Sequence, residues 1–200
     1  MPKKHQKRSK KNSRPAIHLW LDYSGTNDRP QLHVETFEAA ARISIANGTD
    51  LVITCFTHVL SEHRRLTPKQ LANAAAQDEL PELLQSLLRK EPCGGTDFQL
   101  VWENALVENE GNPNSVVHVV STDYEWFPPL DDPSLQHPKN LGYIGIRRPS
   151  TELVSAPLET WRKDFFSSMH KAMPGVNIVL DHSGESFEQI YDALINTARR

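Results

Sequence analysis

A short apolar run at residues 16–22, Ala-Ile-His-Leu-Trp-Leu-Asp, ends abruptly in the polar turn Tyr-Ser-Gly-Thr. So short a run is typical of a strand buried on both faces, because a buried helix usually needs more residues. In open α/β sheets, ligands bind beyond the carboxyl ends of the strands. This feature therefore constrains both the fold and the place where a functional site is to be sought.

The rest of the chain alternates strand-like and helix-like segments. Thr67-Pro68-Lys69-Gln70 has the form of a capping box that starts a helix, and Pro81 is expected to break this helix. Asn47-Gly48 is expected to end an earlier helix. The alternation predicts a three-layer, doubly wound, mostly parallel sheet with helices on both faces, a Rossmann-like α/β fold. Predicted strands are at residues 51–56, 116–120, 141–146 and 176–180, and predicted helices at 34–45, 67–88, 98–106, 158–173 and from 186.

Charge divides the chain into two parts. Seven of its 22 Lys and Arg residues lie in residues 1–14, which hold no acidic residue, so the remainder carries 15 basic against 25 acidic residues. We expect residues 1–14 to be a disordered basic tail and residues 15–200 to form one domain. The excess of acidic residues argues against nucleic-acid binding by the domain itself, whereas the basic tail could contact phosphates.

Cellular location follows from what the sequence lacks. No apolar run reaches the roughly 18 residues that span a bilayer, and no apolar stretch follows the basic N-terminus as in a signal peptide. The two cysteines, Cys55 and Cys93, form no C-x-x-C pair, which argues against a cysteine zinc site. We expect a cytoplasmic protein.

Three polar segments follow predicted strands or precede a predicted helix, and the fold should bring them together. They supply two carboxylates and three hydroxyls, from Asp22, Ser24, Thr26, Thr96 and Asp123. Hard oxygen ligands select Mg²⁺ first, then Mn²⁺ or Ca²⁺. This set leaves the ion under-neutralised and with an open position, which a carboxylate from another protein could fill.

The same residues carry a family resemblance. The triplet Asp22-x-Ser24-x-Thr26, the loop Gly94-Gly95-Thr96 and the strand-end Asp123 resemble the metal-ion-dependent adhesion site (MIDAS) of von Willebrand factor A domains. The closest local likeness is to bacterial and phage-borne members that occur with AAA-type ATPases. The resemblance implies that the hydroxyls of Ser24, Thr26 and Thr96 bind the metal directly, and that Asp22 and Asp123 act through water or accept hydrogen bonds from groups that bind the metal. At the position of Thr26 the family usually has serine, and the additional methyl group of threonine is expected to narrow the metal site.

The resemblance favours a non-enzymatic, metal-dependent protein-binding module with no catalytic residues. Its partner would present Asp or Glu to the ion, and an AAA-type ATPase is the partner that the resemblance suggests. Aromatic residues beside the site are candidates for contact with that partner. They are Tyr23, Tyr124, Trp126 and Phe127.

Two other functions stay open. Residues 22–26 also resemble the first motif of Mg²⁺-dependent haloacid-dehalogenase-type phosphohydrolases, with Asp22 as the nucleophile, although Ser24 replaces the second acid of that motif. Alternatively, the chain is a nucleic-acid-associated protein that acts through its basic tail.

The histidines and tryptophans carry weaker predictions. His18 and His118 are expected in strands, as core or edge histidines with a hydrogen bond. His58 and His63 are expected to be solvated loop residues, and Trp20 and Trp102 core residues.

Overall fold

The computed structural model describes residues 15–23, 30–88, 94–95, 97–111, 116–122, 141–145, 177–179 and 192. Within these ranges, the strands and helices lie close to their predicted positions, with one additional short strand after the second. The elements are β1 Ala16–Asp22, α1 Pro30–Asn47, β2 Asp50–Phe56, β3 Arg64–Leu66, α2 Pro68–Ala76, α3 Leu80–Leu87, α4 Phe98–Gly111, β4 Val116–Thr122, β5 Leu141–Gly145 and β6 Asn177–Val179.

The strands form one sheet in the order β3-β2-β1-β4-β5-β6. All neighbouring strands are parallel except β2 and β3, which are antiparallel. The chain builds outward from β1 through β2 to β3 and then returns to place β4 on the other side of β1. The direction of strand order therefore reverses between β1 and β4, which is the point where doubly wound sheets bind ligands.

The two faces of the sheet are covered by different helices. Side chains alternate along a strand, and Ile17, Leu19 and Leu21 of β1 pack in an apolar core with residues of α1, α2 and α3. The other face carries Trp20 and Phe56, and the Phe56 ring packs at 6.4 Å on Phe98 of α4. Helices on both faces confirm the predicted three-layer α/β fold.

Local sequence signals account for the helix boundaries. Thr67 caps α2 by accepting a hydrogen bond from the Gln70 amide, and its own amide donates to Gln70 Oε1 at 2.9 Å. Pro81 lies in the first turn of α3, so the predicted helix is broken into α2 and α3. Gly48 follows α1 with a φ of +63°, the left-handed conformation expected after a helix end.

Strand β3 is a difference from the sequence prediction, which placed a polar loop after β2. It has only three residues and buries only Leu66, so it leaves no alternating pattern to detect. Trp20 and Trp102 are buried in the core, as predicted.

Some predictions fall on other parts of the chain. The tail at residues 1–14 and the helices predicted at 158–173 and from 186 lie outside the described residues. Among the described residues, no helix combines the length and apolar character that a bilayer crossing requires.

Candidate metal and partner-binding site

Asp22 is the last residue of β1 and lies beside the point where strand order reverses. It is fully buried. The imidazole of His33 on α1 donates from Nε2 to the Asp22 backbone carbonyl at 2.8 Å. The next residue, Tyr23, donates its amide proton to the Phe56 carbonyl at 2.9 Å. The end of β1 is therefore held by α1 and by the end of β2.

The Gly-Gly-Thr loop reaches the same edge of the sheet. The Asp97 amide donates to the Thr57 carbonyl at 2.9 Å, and Thr57 directly follows β2. Asp97 Oδ1 accepts from the Gln99 amide at 3.0 Å, which caps the start of α4. These contacts fix the chain on the C-terminal side of Thr96.

Gly94 fixes the other side of this loop. Its φ is +77°, and a Cβ at this position would collide with the His58 imidazole. A Cβ at Gly95 would meet nothing within 4 Å. Glycine is thus required at position 94 by backbone conformation and by close packing, but position 95 is open.

The end of β4 completes this edge. Ser121 pairs with Leu21 of β1 and is buried, and Thr122 is the last residue of β4. Asp123 follows it in the sequence. The strands that lead into the first and third predicted ligand loops, β1 and β4, are thus adjacent in the sheet. The Asp97–Thr57 hydrogen bond holds the residue after Thr96 at the end of β2, on the other side of β1.

Of the five predicted metal ligands, Asp22 is the one that the described residues include. Tyr23 is half-buried against the apolar core, with its ring 6.4 Å from that of His33. The other predicted ligands and partner contacts lie outside the described residues: Ser24, Thr26, Thr96, Asp123, Tyr124, Trp126 and Phe127.

A second polar cluster lies under α4 and was not predicted as a site. His18 Nδ1 donates to Glu108 Oε2 at 2.9 Å, and Thr54 Oγ1 donates to His18 Nε2 at 2.8 Å. His63 Nδ1 in turn donates to Thr54 Oγ1 at 2.6 Å. A hydrogen-bonded chain therefore crosses the sheet face from the exposed His63 to Glu108.

His118 of β4 borders this chain. Its Nδ1 accepts from the Trp20 indole N–H at 3.3 Å and lies 3.9 Å from Glu108 Oε2. The Trp20 ring stacks on His18 with centroids 3.8 Å apart. Both histidines are buried and hydrogen-bonded, as predicted. No sequence pattern pointed to Glu108, which is 90 residues from His18.

Burial controls the charge of this cluster. Burial lowers the pKa of His18, although the hydrogen bond to Glu108 opposes this effect. Burial lowers the pKa of His118 to about 3. Burial raises the pKa of Glu108, but the hydrogen bond from His18 and the neighbouring histidines outweigh it and leave that pKa below its usual value. Neutral imidazoles therefore face an ionised carboxylate.

His58 and His63 are exposed, as predicted for loop residues, yet both make specific contacts. His58 packs against Gly94, and His63 hydrogen-bonds with Thr54. Neither contact could be inferred from the sequence, because each depends on how a loop is folded.

These features define a doubly wound α/β protein with polar segments at the point where the direction of strand order reverses. The sequence matches no protein-family model and no curated protein. A von Willebrand factor type A structure from Catenulispora acidiphila matches with a TM-score of 0.54 at 14% identity, over 93% of this chain and 43% of that chain. This chain thus spans less than half the length of that protein.

Two further structures agree. BatB from Bacteroides thetaiotaomicron has a TM-score of 0.50 at 13% identity, over 93% of this chain and all of that chain. A variant of the PilB minor pilin from Streptococcus sanguinis has a TM-score of 0.52 at 10% identity, over 98% of this chain and 62% of that chain. The chain has a von Willebrand factor A-like fold, and the likeness at these identities concerns the fold alone.

Proposed function

We propose that this protein is a non-enzymatic binding module. A divalent cation, Mg²⁺ by preference, is bound at the carboxyl edge of the sheet by Asp22, Ser24, Thr26, Thr96 and Asp123. The ion accepts an Asp or Glu side chain from a protein partner as its missing ligand, and the partner contacts Tyr23, Tyr124, Trp126 and Phe127. An AAA-type ATPase is a candidate partner.

One observation supports this proposal: the buried Asp22 lies where the strand order reverses, beside the end of β4, which precedes Asp123, and at the same edge of the sheet as Asp97, which follows Thr96. Asp22 ends β1 between β2 and β4, and the Asp97–Thr57 hydrogen bond ties the Gly-Gly-Thr loop to the same edge. Carboxylate and hydroxyl oxygens suit Mg²⁺.

Thermal stability with and without metal tests the cation site. Millimolar Mg²⁺ or Mn²⁺ should raise the melting temperature of the purified chain, because a ligand that binds only the folded state stabilises it. Asp22→Asn and Thr96→Ala should abolish this rise.

Asp50→Asn is the matched control for Asp22→Asn. Asp50 is also buried, but it begins β2 at the opposite edge of the sheet, where its Oδ2 accepts from Arg65 at 2.8 Å. This variant should lose some stability and keep the full response to Mg²⁺. An equal loss of response in both variants, or no response in the parent protein, would reject the cation site.

Partner binding needs a separate experiment. A pull-down with the purified chain should retain a protein partner in Mg²⁺, lose it in chelator and regain it when Mg²⁺ is restored. The Thr96→Ala variant should retain none. Hydrolysis of a phenyl phosphate ester that disappears in Asp22→Asn would instead support the phosphohydrolase alternative.

A further inference from the structure

We propose a second metal site, for a borderline transition-metal ion of the Zn²⁺ class, formed by His18, His118 and Glu108. It is separate from the proposed Mg²⁺ site and does not depend on it. His18 precedes Asp22 by four residues on the same strand, which corresponds to about 13 Å along β1. The ligands come from β1, β4 and α4, so a bound ion would tie the centre of the sheet to the helix above it.

The first support is the arrangement of ligand atoms. One ligand atom from each of the three residues lies within 4.8 Å of the other two. Glu108 Oε2 is 2.9 Å from His18 Nδ1 and 3.9 Å from His118 Nδ1. Tetrahedral zinc with bonds of 2.0–2.2 Å has its ligand atoms about 3.3 Å apart. The two distances from Glu108 bracket this separation, and the two histidines each offer a nitrogen within 4.8 Å of the other.

The second support is chemical type. Two imidazoles and one carboxylate make up a common three-ligand set for zinc, whereas Mg²⁺ and Ca²⁺ prefer oxygen ligands. Both imidazoles are neutral in the folded protein, which is the state that a metal ligand requires. The two proposed sites should therefore select different ions.

The third support is the hydrogen-bonded chain behind His18. A metal ion on His18 Nδ1 requires the ring proton to lie on Nε2, and Nε2–H then donates to Thr54 Oγ1 at the existing 2.8 Å contact. The Thr54 hydroxyl can turn its proton to His63 Nδ1, 2.6 Å away. Because His63 is exposed, it can exchange its ring proton with water. The direction of donation along this series of hydrogen bonds can thus reverse without movement of a heavy atom. The reversed series stabilises the tautomer of His18 that can bind a metal at Nδ1.

The partly exposed Glu108 side chain makes the proposed site accessible to an ion from solvent. Its side chain is 32% exposed, while those of both histidines are fully buried. An ion can meet the carboxylate first and then the two imidazoles. At His118 it would take the Nδ1 lone pair that now accepts the 3.3 Å hydrogen bond from Trp20. Tryptophan fluorescence is therefore a second readout of binding.

Cobalt titration tests the site in the full-length chain. The protein is freed of metals with chelator and kept in millimolar Mg²⁺ while Co²⁺ is added. We expect one equivalent of Co²⁺ to give the intense visible bands of a four-coordinate site, and Zn²⁺ to displace it. Tryptophan fluorescence should be quenched in step with the bands. Only weak bands of six-coordinate Co²⁺ would overturn the proposal.

Variants show whether these residues bind the ion. His118→Asn and Glu108→Gln should each weaken Zn²⁺ binding at least about 10-fold, since loss of even a supporting residue commonly has that effect. Glu108→Gln keeps a hydrogen-bond acceptor at a partly exposed position, so it gives an answer even if His118→Asn does not fold. Unchanged affinity in Glu108→Gln would overturn the proposal.

Matched controls separate this site from other metal-binding groups. Glu103→Gln removes an exposed carboxylate from the same helix, and His58→Asn removes an exposed imidazole from a loop. Both should leave Zn²⁺ affinity unchanged. Asp22→Asn should also leave it unchanged while removing the Mg²⁺ response, so failure of one proposed site is distinguishable from failure of the other.

Discussion

His18 Nδ1 donates a 2.9 Å hydrogen bond to Glu108 Oε2 and so joins the first strand of the sheet to the helix that follows the Gly-Gly-Thr loop. His18 is fully buried and Glu108 is partly exposed. Glu108→Ala would leave the buried His18 Nδ1 without its hydrogen-bond partner, at a cost of about 1–3 kcal/mol in the free energy of unfolding. Urea unfolding in chelator measures this cost.

Glu103→Ala is the control for that prediction. Glu103 is exposed on the same helix and accepts a 2.7 Å hydrogen bond from Gln99 on the helix surface. Its loss should cost no more than about 0.5 kcal/mol. Equal costs for the two variants would show that Glu108 contributes no more than a surface residue.

The buried histidines should make stability depend on pH. Burial lowers the pKa of His18 below its usual value of 6.5 and that of His118 to about 3. Between those values the unfolded chain binds protons that the folded chain does not, so stability is full above about pH 6.5 and falls as the pH is lowered. Each histidine contributes a slope of up to about 1.4 kcal/mol per pH unit.

Urea unfolding from pH 7.5 to 5, with chelator present, measures this slope. The groups around the two histidines are Glu108, His63 and Arg65. The lowered pKa of Glu108 contributes stability at neutral pH, and this contribution is lost only as the pH falls below the usual value of 4.5. His118→Asn should flatten the slope. A slope that is identical in the parent protein and in this variant would contradict the prediction.

The two glycines before Thr96 should differ in their tolerance of alanine. Gly94→Ala forces an unfavourable φ of +77° and a clash with His58, so we expect a loss of about 1–3 kcal/mol and a weaker response to Mg²⁺. Gly95→Ala meets open space and should change stability by less than about 1 kcal/mol. Melting temperatures with and without Mg²⁺ compare them. Equal tolerance would mean that neither the left-handed backbone conformation nor His58 restricts the residue at position 94.

The sequence predicts this fold well because its local signals agree with one another. The buried run of β1, the capping box at Thr67 and the break at Pro81 each depend on neighbouring residues alone. Strand β3 was missed because a three-residue edge strand has too few residues to show a pattern. The pairing of His18 with Glu108 was missed because it arises only when α4 packs on the sheet.

The proposed ligand loops illustrate the same limit. The parallel arrangement of the strands could be predicted from their alternation with helices, and with it the edge of the sheet at which Asp22 lies. The contact between Asp97 and Thr57 could not, because it depends on how two irregular loops pack. The sequence therefore indicates the edge of the sheet at which the proposed site lies but does not supply the hydrogen bonds around it.

Thr54 provides the sharpest test of the link between the hydrogen-bonded chain and metal binding. Thr54→Val keeps the shape of the side chain but removes the hydroxyl between His18 and His63. His18 Nε2–H then has no oxygen to donate to when Nδ1 binds a metal. We expect Zn²⁺ affinity to fall about 10- to 100-fold although all three ligands remain.

The matched control for Thr54→Val is Thr57→Val, a few residues along the chain. Thr57 is also buried, but its hydroxyl is not hydrogen-bonded to the histidine chain; it accepts a 3.4 Å hydrogen bond from the Val59 amide. Zn²⁺ affinity, measured by competition with Co²⁺, should be unchanged in Thr57→Val. A loss of stability alone would not show whether Thr54 orients His18 for metal binding or only packs against it. Only a fall in Zn²⁺ affinity that occurs in Thr54→Val and not in Thr57→Val supports the proposed control of the His18 tautomer. Equal affinities in the two variants would mean that the metal holds His18 without help from Thr54.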